Sequence, residues 1–194
     1  NYFNYTKLKI IGKFFYEDST IITAYYNRQK FNQEITSKLG IPKNYLEKYF
    51  NELKEIDKMT GLSFLSKPIH LLRSHFNIST IKFLLKYKLL RIFSSIHKVN
   101  KEKLKDDKLV QLFDRVATYN GSNPYQASAI MRSISYLEFG YGSYRIHGGF
   151  ISVKNALELL AKQVGVNFEM NELVSSIKTS NNKIKGLVSN DRYY

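Results

Sequence analysis

The stretch QLFDRVATYNGSNPY occupies residues 111–125 and decides how the rest of the chain is interpreted. Its first half continues an amphipathic pattern that begins at Asp107, which predicts a helix over 107–118. Residues 119–124 are rich in Asn, Gly and Ser and end in Pro, which predicts a loop. A second helix is predicted over 127–139. A polar loop is therefore expected between two helices.

The segment upstream predicts a hairpin followed by two helices. Residues 8–15 and 20–26 are rich in β-branched and aromatic residues, which predicts paired strands with a turn at 17–19. Ser19 stands where such a turn favours Gly. A helix is predicted over 27–39, and the next helix carries an apolar stripe made of Tyr45, Leu46, Tyr49, Phe50, Leu53 and Ile56.

Residues 81–96 combine an apolar circumference with exclusively cationic polar positions, Lys82, Lys86, Lys88 and Arg91. A basic amphipathic helix of this kind is typical of contact with an anionic membrane surface. A core helix whose long cationic side chains reach out to solvent would have the same pattern. The residues alone do not separate these two interpretations.

The last third of the chain predicts a turn, a helix and strands. Residues 141–146 are expected to be extended, and the doublet Gly148-Gly149 precedes a helix that ends at Gly165. Its apolar stripe is Val153, Ala156, Leu157, Leu160, Ala161 and Val164. A helix that starts just after glycines offers free N–H groups to a ligand, although turn glycines are common and this signal is weak alone.

Strands are predicted over 166–170, 174–179 and 184–189, with a turn at 181–182. A turn, helix and strand in this order are typical of a βαβ-type unit. We therefore expect an α+β fold, with a mixed helical and β-sheet region followed by a partial βαβ-type segment.

Composition limits the possible functions. The 194 residues are 43% hydrophobic, which is enough to bury a core, and they contain no Cys, which excludes disulfides and thiolate chemistry. The formal charge of +14 favours anionic partners, but an AT-rich genome would also raise the Lys content. Lys and Arg are scattered and no nucleic-acid-binding motif occurs, so we expect no nucleic-acid partner.

The chain starts at Asn1 and has no signal-peptide pattern and no run of eighteen apolar residues. Both ends look like cuts within a longer protein, which suggests an internal fragment. A cytoplasmic, peripherally membrane-associated protein is the expected setting.

Motifs for metal or nucleophilic chemistry are absent from the sequence. The histidines His70, His75, His97 and His147 do not form a metal-ligand spacing, so no metal site is expected. No GxSxG supports a Ser-His-Asp triad, and no GxGxxG provides a dinucleotide fingerprint.

The order of several segments resembles bacterial phytoene desaturase-like proteins, the carotenoid desaturase family of the flavin amine oxidase superfamily. Residues 111–125 are similar to that family's LFDRYATYNGSNPY segment almost letter for letter. Residues 13–21 resemble its KYFFEDGT hairpin, with Ser19 in place of Gly. Residues 144–150 resemble YxPKGGM, with Ile146-His147 and Phe150 as departures, and residues 171–177 resemble NTxVxxI.

This resemblance implies a non-covalently bound FAD in a Rossmann-like domain and a substrate domain inserted into it. It implies that residues 1–147 form a substrate-binding region and residues 148–194 a partial FAD-domain segment. Val174, Gly148 and Gly149 match positions near FAD, and Arg73 aligns loosely with a basic position near the flavin. Asn123, Pro124 and Tyr125 match a segment near the substrate tunnel.

The function implied is FAD-dependent desaturation of a carotenoid-type polyene of the phytoene or diapophytoene class. A retinol-saturase-like or carotene-isomerase enzyme on the same scaffold would share these motifs. From a different class, a basic module that binds a membrane surface or nucleic acid stays open. The chain alone is expected to be inactive, because the main FAD motif is not in it. The residues do not identify a general base or an oligomeric state.

Overall fold

The computed structural model describes residues 2–42, 44–60 and 91–194. The chain divides into two compact units, one made of Tyr5–Arg145 and the other of Asn1–Asn4 with Ile146–Tyr194. We call them the large unit and the small unit. The predicted position Arg73 and most of the predicted helix 81–96 lie outside the described residues.

The large unit begins with the predicted hairpin. Strands β1 (Tyr5–Lys7), β2 (Ile10–Phe15) and β3 (Ile21–Tyr25) come first, and β2 pairs antiparallel with β3. Ser19 has φ 64° and its N–H donates to the carbonyl of Tyr16. The prediction is confirmed, because Ser19 adopts the left-handed conformation for which Gly is favoured.

Helices α1 (Arg28–Leu39) and α2 (Tyr45–Thr60) follow the hairpin as predicted. Helix α1 begins after Asn27, whose side chain accepts from the N–H of Lys30, and it ends at Gly40 with φ 67°. The predicted stripe of α2 is the core of the unit, since Leu46, Tyr49, Phe50, Leu53 and Ile56 are all buried.

Two short helices complete this core. Helix α3 (Ile96–Lys103) is capped by Ser95, and helix α4 (Asp107–Asp114) is capped by Asp106. The predicted helix 107–118 is therefore α-helical only to Asp114, and it continues as the 3-10 helix Arg115–Asn120. Gly121, with φ 67°, ends that helix and opens the predicted loop.

The predicted helix 127–139 is irregular. It consists of a 3-10 turn (Ala129–Arg132), helix α5 (Ser133–Tyr136) and a π turn (Leu137–Tyr141). The N–H of Gly142 reaches the carbonyl of Leu137, five residues back, which widens the last turn. The prediction of a helical segment is therefore confirmed from Ala129 onward, but only its short middle part is α-helical. Strand β4 (Tyr144–Ile146) then pairs with β1.

Only residues 91–96 of the predicted helix 81–96 are described, and residues 91–95 are not helical. Residues 91–95 form turns, and the following helix starts only at Ile96. Arg91, with φ 45°, forms a bidentate ion pair with Glu102. That part of the prediction was wrong, and Arg91 is engaged by a carboxylate.

The small unit contains helix α6 (Phe150–Gln163) and strands β5 (Val174–Ser180), β6 (Lys183–Ser189) and β7 (Arg192–Tyr193). The strands form an antiparallel sheet in the order β5-β6-β7. Asn181 and Asn182 make the predicted turn with φ 51° and 57°. The Rossmann-like assignment of this unit stays a prediction.

Residues 166–170 do not form the predicted strand. The N–H of Val166 caps helix α6 by donating to the carbonyl of Ala161, and no ladder partner is present among the described residues. Large apolar side chains of the small unit are exposed, including Phe150 (83%), Leu173 (77%) and Ile184 (73%).

None of the described helices is both long and apolar enough to cross a membrane.

Candidate functional site

A cleft of about 770 Å³ opens in the large unit between the hairpin, helices α3 and α4, and the loop after residue 121. This volume lies in the range of small-molecule sites. Its apolar walls come from Phe14, Phe15, Tyr16, Val110, Leu112, Pro124 and Tyr125. Its polar lining is His97, Asp114, Arg115, Lys13, Lys101, Asp107, Gln111 and Thr118.

The hairpin contributes three consecutive aromatic residues to one wall. Phe15 is 72% exposed, whereas Phe14 and Tyr16 are half-buried. The Tyr16 hydroxyl donates to the carbonyl of Lys108 at 2.8 Å, which ties the hairpin to helix α4. Burial, reinforced by the charge of Asp106, raises the pKa of Tyr16 to about 12.

His97 and Asp114 form a hydrogen-bonded pair in the cleft. Nδ1 of His97 lies 2.7 Å from Oδ2 of Asp114, although 17 residues separate them in sequence. Asp114 is buried, and the side chain of His97 is 28% exposed. An ionised carboxylate only accepts hydrogen bonds, so with Asp114 in that form the donor in this contact is Nδ1 of His97.

Two buried residues hold Asp114 from behind. The Asn100 amide donates from Nδ2 to Oδ1 of Asp114 at 2.8 Å, and the Tyr49 hydroxyl donates to Oδ1 of Asn100 at 2.7 Å. Asn100 is fully buried and Tyr49 is 3% exposed. Burial raises the pKa of Tyr49 to about 12, which keeps its hydroxyl a donor. The four side chains form a continuous network from the core to the cleft.

The predicted substrate segment lines this cleft. The N–H of His97 donates to the carbonyl of Pro124 at 3.0 Å, and the Tyr125 ring lies 4.2 Å from the imidazole, centroid to centroid. The Asn123 side chain accepts from the N–H of Tyr125 at 2.9 Å, so it shapes the loop. Pro124 and Tyr125 face the cleft, and their role in substrate binding stays a prediction.

Two of the cations that line the cleft, Arg115 and Lys101, are paired with carboxylates. Arg115 lies 2.5 Å from Glu138 and 5.3 Å over the ring of Phe14. Burial would lower the pKa of Arg115, but Glu138 outweighs it and raises the pKa. Lys101 pairs with Asp107 and lowers the pKa of that carboxyl. The charges of Arg115 and Lys101 in the cleft are therefore compensated.

A buried ion pair supports the network from the other side. Arg132 is fully buried, lies 3.0 Å from Glu52, and stacks 5.1 Å over the ring of Tyr49. Glu52 also pairs with Lys103 at 2.8 Å. Burial alone would raise the pKa of Glu52, but the two cations outweigh burial and lower it.

The residues predicted to contact a cofactor lie in the small unit. Gly148 and Gly149, with φ 78° and 75°, precede helix α6, and Val174 begins β5 with 49% of its surface exposed. A Cβ on Gly149 would meet nothing within 4 Å, so a flat group could approach its backbone closely. The contact of these residues with a cofactor stays a prediction, and the sequence contains no phosphate-binding fingerprint beside them.

The sequence assigned no chemical role to His97 and did not reveal its pairing with Asp114. The spacing contains no catalytic or metal motif, since the pair forms by tertiary packing of α3 against α4. One signal was available: Asp114 lies within the specific 111–125 stretch, at a buried position of an amphipathic helix, where a carboxylate requires a partner.

Comparison with known proteins finds relatives of this chain that are named as carotenoid-modifying enzymes. It is 37% identical over 187 residues to 1-hydroxycarotenoid 3,4-desaturase from Flavobacterium sp. (strain P99-3), which covers 96% of the chain and 38% of that protein. It is 26% identical over 170 residues to 4,4'-diapolycopene oxygenase from Methylomonas sp, covering 84% of the chain and 33% of that protein.

A third relative, 4,4'-diaponeurosporene oxygenase from Staphylococcus aureus, is 26% identical over 178 residues, covering 89% of the chain and 34% of that protein. The chain thus spans between a third and two fifths of the length of these relatives. No family model matches the chain.

Proposed function

The chain is carotenoid desaturase-like along nearly all its length, and from that premise we propose that the protein containing it is an oxidoreductase that desaturates a carotenoid-type polyene. The Flavobacterium relative is named for a hydroxylated carotenoid, and the other two for diapocarotenoids. A polyene of one of these kinds is the proposed substrate.

The observation that carries this proposal is the cleft. Residues 123–125, within the stretch that most resembles the family, lie beside a cavity walled by Phe14, Val110 and Leu112. A polyene offers almost only apolar surface, so its affinity must come from area removed from water, about 25 cal/mol per Å². Aromatic and aliphatic walls supply such contacts.

FAD is the proposed cofactor. Gly148, Gly149 and Val174 would hold part of it, through backbone that a flat ring can approach. When bound, a flavin supplies the capacity to accept a hydride equivalent. The residues of this chain would bind and orient the polyene and exclude water from it.

Other functions receive less support. Saturation or isomerisation of a polyene on the same scaffold would use the same cleft, but the relatives reported above are named for desaturation and oxygenation. A basic module without catalytic activity would not need the buried His97–Asp114 network. Peripheral contact with a membrane surface is compatible with the enzyme and is part of the proposal, because an apolar substrate resides in lipid.

Product analysis tests the proposal. The full-length protein with FAD is incubated with phytoene, with diapophytoene and with a hydroxylated carotenoid, and the products are separated by chromatography. Desaturation is expected to lengthen the conjugated system of at least one substrate and to shift its absorption to longer wavelength. Recovery of all three polyenes unchanged, or products with fewer double bonds, would contradict desaturation.

A further inference from the structure

His97 is one of several polar side chains that line the cleft, and its imidazole is held by a hydrogen bond to Asp114 and by packing against the Tyr125 ring. We infer that His97 recognises an oxygen substituent on the polyene by accepting a hydrogen bond from its hydroxyl group. This inference rests on the proposed function and adds to it the class of substrate, an end-hydroxylated polyene rather than a pure hydrocarbon.

The hydrogen bond to Asp114 sets the chemistry of His97. Because Nδ1 donates to the carboxylate at 2.7 Å, the neutral imidazole presents Nε2 as an acceptor. Nε2 has no hydrogen-bond partner among residues 2–42, 44–60 and 91–194. A hydroxyl group can donate to it, whereas a hydrocarbon would bury it without a partner.

The orientation of the imidazole is fixed before any ligand binds. Asn100 and Tyr49 hold Asp114 through hydrogen bonds of 2.8 and 2.7 Å in the core. The backbone N–H of His97 is bound to Pro124, and Tyr125 packs against the ring. An acceptor held in this way loses little freedom when a ligand binds, which favours discrimination between ligands.

The other polar groups of the cleft are less suited to this task. Arg115 and Lys101 are paired with carboxylates, and the hydroxyl of Thr118 donates to the carbonyl of Arg115 at 2.7 Å. The Tyr16 hydroxyl is engaged by the backbone of Lys108. Gln111 is exposed on a flexible side chain. Within the described part of the chain, His97 therefore combines a fixed position with an acceptor that has no partner.

The test compares two polyenes of equal length and conjugation in the full-length protein with FAD, one ending in a hydroxyl and the other in a hydrocarbon. We expect the wild type to favour the hydroxylated polyene about tenfold in kcat/KM, mostly through KM. His97→Phe should abolish this preference, so that kcat/KM becomes equal for the two polyenes. Lys98→Ala, an exposed position on the same helix, is the control and should keep the preference.

A second variant covers the case in which His97→Phe does not fold. In Asp114→Asn, the amide oxygen can still accept from Asn100 while the amide nitrogen donates to Nδ1 of His97, which makes Nε2 a donor. This variant should gain about tenfold for a polyene ending in a carbonyl, relative to the wild type. A structural role alone would not produce such a change of preference.

The possible outcomes distinguish the inference about His97 from the proposed function. A wild type that converts both polyenes equally, a His97→Phe variant that keeps the preference, or an Asp114→Asn variant with no gain for the carbonyl overturns the inference alone. A wild type that converts neither polyene overturns the proposed function, and the inference with it.

Discussion

Substitution of Tyr49 by Phe should weaken the network behind the cleft and change how stability depends on pH. The ring keeps its packing against Phe113, 4.8 Å away between centroids, so only the hydroxyl is lost. Oδ1 of the buried Asn100 then has no donor. An unsatisfied buried acceptor costs about 2 kcal/mol, which is the expected loss in the free energy of unfolding at neutral pH.

The dependence of folding stability on pH above neutrality follows from the pKa of Tyr49. Burial raises it from 10.0 to about 12 in the folded protein, so the stabilisation is fully present below pH 10 and is lost as pH rises through 12. That difference corresponds to about 3 kcal/mol in total, of which about 1.4 kcal/mol is lost by pH 11. Tyr49→Phe lacks this loss, so its deficit should shrink as pH rises.

Guanidinium unfolding followed by far-UV circular dichroism is the assay. Wild type and Tyr49→Phe are compared in the full-length protein at pH 8 and pH 11. Tyr45→Phe is the matched control, one turn earlier on α2, where the hydroxyl bonds backbone at an exposed position. Equal stability at pH 8, or an undiminished deficit at pH 11, would refute the reasoning.

Three further substitutions have defined outcomes. Glu52→Gln leaves the fully buried Arg132 without its carboxylate and should lower the free energy of unfolding, measured in urea, by about 3–5 kcal/mol. A loss below about 1 kcal/mol would show that the ion pair is dispensable for stability. Ser19→Gly relieves a positive φ and should raise the free energy of unfolding by about 1 kcal/mol, and a loss instead would contradict strain at the turn. Thr118→Trp places an indole in the cleft and should lower kcat/KM for the polyene about tenfold, whereas Lys54→Trp on the exposed face of α2 should not.

Local patterns predicted the elements that local chemistry determines. The hairpin at Ser19, the cap of α1 at Gly40 and the apolar stripe of α2 follow from turn residues, helix stops and periodicity. The β5–β6 turn at 181–182 follows in the same way, because Asn tolerates a positive φ.

The features that the sequence patterns did not predict depend on contacts between residues far apart in the chain. The segment 129–141 splits into 3-10, α and π turns, and its fully buried Arg132 contacts Glu52, 80 positions earlier in the chain. His97 and Asp114 meet only when α3 and α4 pack, and Tyr49 joins them through Asn100 from 51 positions away. No rule of sequence spacing encodes contacts of this kind, and His97 therefore stayed unpredicted as a hydrogen-bond acceptor. The loop 123–125 beside it was indicated only by the resemblance to a known family.

The most direct test of the account is an experimental structure of the full-length protein with FAD and a bound hydroxylated polyene. The account predicts that the polyene lies against Phe14, Pro124 and Tyr125, with its hydroxyl oxygen within about 3 Å of Nε2 of His97. A polyene bound elsewhere, with this cleft empty or filled by the protein's own side chains, would contradict it.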